Sequence, residues 1–274
     1  MGVLLLLPVE AAPALNSWPH SMASSALPMD FGEIVYRRNA DSPLQLYIVA
    51  NSHRSALSGA NGSQTVQAQL ETFKIGEWLI RQQQVDLILP EGFFGSRDVA
   101  DLAPAPLFDQ KILRDRLSDT SVFVNAEQLL HEYYGVPLQQ VEDRELYLQA
   151  KDFLSAGLES GALYLPSFSN QLEYLQKRRS AAILQRVPRI LGAELREGRV
   201  AAPRAMLTIG LSHMDEIITF LERGEVRIAA PSNIDSADPV FSLELELLKK
   251  NVGVTVIIPR TLMTHRADFA KQKA

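Results

Sequence analysis

The stretch VDLILPEG, residues 85–92, is a short, nearly continuous apolar run, and it constrains the fold more than any other segment. A strand apolar at successive positions is buried on both faces, as in a parallel sheet covered by helices. Strand-like runs recur as LQLYIVANS (44–52), VPLQQVED (136–143), AMLTIGLS (205–212), EVRIAA (225–230) and VGVTVIIP (252–259). Helical spacing separates them, in 65–84, 108–119, 125–135, 144–157 and 214–224. Residues 170–198 read as a long helix bent near Pro188, and VFSLELELLKK (240–250) as another helix. The alternation predicts an α/β fold: a mostly parallel mixed sheet flanked by helices, in one domain over 29–274. EIVYRR (33–38), the turn NADSP and residues 44–52 add an opening β-hairpin, and 144–200 form a helical insertion.

Composition narrows the function. The net charge of -5 and the lack of any basic stripe argue against a nucleic-acid partner. KRR at 177–179, the densest basic run, reads as a solvated helix face. Absence of cysteine removes disulfides, thiol nucleophiles and thiolate ligands. No segment carries the roughly 18 unbroken apolar residues of a membrane span. Residues 1–28 read as a leader, with an apolar run at Val3–Leu7 and a small-residue stretch at Ala12–Ala14. A degenerate signal for export to the periplasm is one reading, and a disordered leader of a cytoplasmic protein is its rival.

Ligands of a parallel sheet gather beyond the carboxyl ends of its strands. There the sequence sets His53, Glu91, the pair Glu142-Asp143 and His213, which brings two imidazoles and several carboxylates to one edge. Glu142-Asp143 also suits an N-cap and first-turn acid for the following helix. Neither Ser52-His53 nor Ser212-His213 suits a nucleophile with its base, since neighbours in extended chain point to opposite faces. The G-x-S-x-G, G-x-G-x-x-G, phosphate-loop and H-E-x-x-H motifs are absent, and His131-Glu132 reads as a helix surface pair. Two imidazoles with a carboxylate suit a zinc or manganese ion with one position open for water. They equally suit metal-free acid–base work. In either case His53 and His213 are expected to reach a single ion or water, with Glu91 facing it.

These residues resemble the TIKI/TraB superfamily, which includes erythromycin-esterase-like and ChaN-like haem-uptake branches. Its hallmark is a pair of G-x-x-H motifs at strand ends with a glutamate after an intervening strand. Gly210-Leu211-Ser212-His213 is an intact copy, and Ala50-Asn51-Ser52-His53 is a copy with Ala in place of Gly. Glu91 in ILPEG matches the glutamate. Arg179 in RRSAAIL resembles the helical arginine motif, with Ser180 and Ile183 replacing Asn/Asp and Met. The resemblance spans about 44–258 and implies a mixed α/β fold. It also implies a hydrolase of a peptide or ester bond, with His53, Glu91 and His213 as site and metal ligands and Glu142 and Arg179 supporting them. Its haem-binding branch implies the alternative of haem or metal uptake without catalysis. Tyr133, Tyr134, Tyr147 and Tyr164 are the candidate axial ligands for that alternative.

Overall fold

The computed structural model describes residues 30–52, 62–97, 109–119, 124–162, 165–200, 203–231 and 240–264. The leader expected at 1–28 lies outside these. Seven strands form the main sheet, in the order β1-β9-β2-β6-β3-β5-β4. They are β1 (Gly32–Arg38), β2 (Gln45–Asn51), β3 (Leu87–Pro90), β4 (Ser96–Arg97), β5 (Leu138–Gln139), β6 (Arg204–Gly210) and β9 (Gly253–Pro259). β9, β2, β6, β3 and β5 run parallel, while β1 and β4 are antiparallel edges. The expected α/β architecture, mixed and mostly parallel, is therefore present. The two arms of the opening hairpin run antiparallel around a short turn, and β9 lies between them, hydrogen-bonded to each.

The pleat divides the core in two. Leu46, Ile48 and Ala50 of β2 face one apolar layer with Leu207, Ile209, Val254 and Val256. Tyr47 and Val49 face the other with Ile88, Met206 and Ile257. A fully buried Leu or Ile contributes about 1.5–3 kcal/mol, so the five consecutive buried apolar residues Leu46–Ala50 fix the position of β2 firmly. The second layer is closed by α1 (Ser63–Gln83), α2 (Gln110–Ser118) and α3 (Ala126–Tyr134). The first is closed by α5 (Pro166–Arg196) and α6 (Met214–Arg223), with the ribbon β7 (Glu225–Ala229)–β8 (Val240–Glu244) and the short α7 (Glu246–Lys249).

α4 (Arg144–Ser160) and the 31-residue α5 carry the chain from β5 back to β6. α5 starts at Pro166, where a missing N–H costs nothing, and continues through a buried Pro188. Residues 240–250 correct the sequence reading. Val240–Glu244 is a strand on β7, and only Glu246–Lys249 is helical. The alternation Phe241, Leu243, Leu245 has the period of a strand, and the pair Leu247-Leu248 gave it a helical look.

Candidate active site at the strand ends

β3 ends in Pro90-Glu91-Gly92. The Glu91 N–H still donates to the Thr208 carbonyl of β6 at 2.9 Å, which ties the turn to the sheet. Gly92 then takes a left-handed conformation (φ 72°) that a Cβ would strain, and its N–H donates to Glu142 Oε2 at 3.1 Å. Glu142 follows β5 and is fully buried, and its carbonyl accepts from Arg186 Nη1 at 2.6 Å. The structure separates the acidic pair. Asp143 caps α4, accepting from the Glu145 and Leu146 N–H groups, whereas Glu142 turns inward.

Arg179 joins these turns. From the middle of α5 its Nε donates to Glu142 Oε1 and its Nη2 to Glu91 Oε1, each at 2.9 Å. The Tyr147 ring of α4 lies 5.2 Å from the guanidinium carbon, within cation–π range. Burial pushes the guanidinium down, but the hydrogen bonds and charges of Glu142 and Glu91 outweigh it and hold its pKa above the usual value. Arg179 is thus buried, and KRR is not uniformly a solvated face. Of the other two, Lys177 pairs with Glu173, and Arg178 lies over the Tyr174 and Phe241 rings.

β6 ends at Gly210, whose N–H donates to Glu91 Oε2 at 2.6 Å. A single 3-10 turn, Leu211–His213, then places His213 at 4% exposure behind Glu91. Its Nε2 is 3.5 Å from Glu91 Oε1. Its Nδ1 is 2.8 Å from Ser180 Oγ and 3.0 Å from Glu216 Oε1.

β2 pairs with β6 in register, Asn51 opposite Gly210, so the first Ser-His joint begins beside the second. His53 itself lies outside the described residues. Asn51 Nδ2 donates to Glu127 Oε1 at 2.8 Å, and Gln69 Nε2 donates to both Asn51 Oδ1 and the Ser52 carbonyl at 2.8 Å. The Ala126 N–H donates to Gln69 Oε1 at 2.7 Å, which anchors the start of α3 to the joint. Between these groups opens a cleft of about 620 Å³, lined by Asn51, Glu127, Glu91, Arg179, Tyr147 and Leu154 among others. His213 does not line it, and Glu91 stands between the imidazole and the cleft.

The structure thus gathers Glu91, Glu142, Arg179 and His213. Sequence reasoning missed Asn51, Gln69, Glu127, Ser180 and Glu216. Glu216 had a usable signal, since it stands one helical turn after His213. His131 is also corrected: it is buried, and its Nδ1 meets the Val136 carbonyl at 2.8 Å, tying the end of α3 to the approach to β5. Among the tyrosines considered for haem, Tyr147 lines the cleft. Tyr133 and Tyr134 pack on Phe73, and Tyr164 lies outside the described residues. Among the described residues no three His, Asp or Glu side chains are grouped to hold a metal ion. No helix among them is long and apolar enough to cross a membrane. No family model, curated protein or solved structure matches this chain.

Proposed function

We propose that this chain is a hydrolase that adds water to the carbonyl of an ester or peptide bond seated in the strand-end cleft. The observation that carries this reading is the bridge of Arg179 between Glu91 and Glu142, with His213 3.5 Å behind Glu91. A carboxylate backed by an imidazole can hold a water and take its proton, and such acid–base help is worth about 10²- to 10⁴-fold in rate. Arg179 commits Nε and Nη2 to the two glutamates, which leaves Nη1 for the oxygen that gains negative charge during attack. His53, which lies outside the described residues, is the second imidazole that this reading assigns to the same water.

In this version Glu91 and His213 act on the water directly, whereas a zinc or manganese centre would need His53 to join Glu91 and His213 as ligands. Purified protein offered a panel of peptides and aryl esters, with and without added manganese or zinc, tests the proposal. Turnover is expected without metal, falling about 10²-fold or more in Glu91→Gln and His213→Ala. Equal rates in wild type and both variants would sink it.

A further inference from the structure

Behind His213, on the side away from the cleft, lie two side chains that the proposed chemistry leaves unused. Ser180, one residue after the bridging arginine on α5, is completely buried. Its Oγ touches His213 Nδ1 at 2.8 Å, donates to Glu216 Oε1, and lies 3.1 Å from the Gln176 carbonyl. Glu216 comes from the first turn of α6 and keeps 12% side-chain exposure, against 5% for His213.

The donor count is informative. A serine hydroxyl has one proton, and the two oxygens placed to accept it, Glu216 Oε1 and the Gln176 carbonyl, both lie off the ring. Ser180 Oγ then has only acceptor capacity left for the ring. Both oxygens beside Nδ1, those of Ser180 and Glu216, therefore accept from a single Nδ1–H. That anchoring fixes the ring orientation and points Nε2 at Glu91 on the cleft wall. The imidazole thus lies between two carboxylates, one facing the cleft and the other near solvent.

Resting on the hydrolase reading, we infer that Glu216 and Ser180 are positioning residues that hold His213 as a proton relay between Glu91 and the α6 surface. In the step assigned to it, water oxygen bonds to the carbonyl carbon while Glu91 takes the water proton. Glu91 passes a proton to Nε2, Nδ1 gives one to Glu216, and Glu216 releases it to solvent. The reverse path returns a proton for the leaving group. No oxidant or other co-reactant is needed. The groups facing the ring are Glu91 from the end of β3, Ser180 from α5 and Glu216 from α6.

Two readouts test this. In ring-¹⁵N-labelled protein, NMR is expected to find Nδ1 of His213 carrying a slowly exchanging proton, assigned by its loss in His213→Ala. In Glu216→Gln that proton should exchange at least tenfold faster. On an ester substrate, Glu216→Gln should lower kcat about tenfold with KM and Tm unchanged, Ser180→Ala should do so more weakly, and Glu216→Asp should recover part of the rate. An Nδ1 without a proton in wild type, or an unchanged kcat in Glu216→Gln, overturns the relay. Absence of turnover by wild type sinks the hydrolase reading instead, and the ring signal still decides whether Glu216 anchors His213.

Discussion

The ends of β2 and β6 are neighbours in register and each runs into a Ser-His pair, yet they are held by different physics. At the end of β6, ionisable side chains do the work: His213 lies among Glu91, Glu216 and Ser180, and Arg179 holds Glu91 from α5. At the end of β2, amides do it, with Asn51 and Gln69 satisfying each other, the Ser52 carbonyl and Glu127. The two motif copies are also offset by one position in the ladder. Ala50 pairs with Ile209 and fills the apolar layer, so Gly210 faces Asn51. The difference teaches that a strand-Ser-His pattern sets only where a chain turns. Neighbouring helices decide whether the turn is held mainly by an arginine with its carboxylates or mainly by amides.

Removing the central residue of the charged joint should give the largest effect. Arg179→Ala leaves Glu91 and Glu142 buried without the cation between them, and loss of one partner from such a pair costs about 3–5 kcal/mol. Urea unfolding of the variant measures it, and a loss below about 1 kcal/mol would mean the bridge contributes little. The amide joint should be weaker. Asn51→Ala strips a partner from Gln69 and Glu127, at about 1–3 kcal/mol for a buried group left unsatisfied. A loss equal to that of Arg179→Ala would erase the contrast between the joints.

The smallest effect is a control away from both. Burial pushes the Glu77 carboxyl up, but the Tyr134 hydroxyl and Lys74 outweigh it and hold its pKa below the usual carboxylate value. A depressed carboxylate adds stability that is present above its unfolded pKa and is lost as pH falls through the folded one. Tyr134→Phe should therefore cost about 1 kcal/mol near neutral pH, with the deficit shrinking as Glu77 protonates. Thermal unfolding scans across pH would show this, and a deficit constant with pH would contradict it.

Much of this was legible in the residues. The continuous apolar run before Glu91 implies a strand buried on both faces, and parallel strands send their carboxyl ends to one edge. Glu91, Glu142 and His213 were therefore placeable without coordinates. The cation was visible only through the arginine motif, because charge by itself marks KRR as surface. Nothing local distinguishes Arg179 from Arg178, since only the packing of α5 on the sheet selects which one is buried. The amide network was invisible for a related reason. Asn51, Gln69 and Glu127 come from β2, α1 and α3, and polar residues on amphipathic helices are ordinarily solvated. His131 was misread similarly, because its partner is a main-chain carbonyl, which every residue offers.

The place of β9 between β1 and β2 has a consequence for how such a chain is made. As the polypeptide leaves the ribosome, β2 emerges early with five apolar-layer positions and neither of its ladder partners. One edge waits for residues 204–210 and the other for 253–259, so for most of synthesis both edges stay open to stray pairing. Such sequence-distant closure makes folding slow and favours aggregation of the unfinished chain. β2, among the first strands to be made, is thus among the last to be completed, and shielding by chaperones would matter most during that interval.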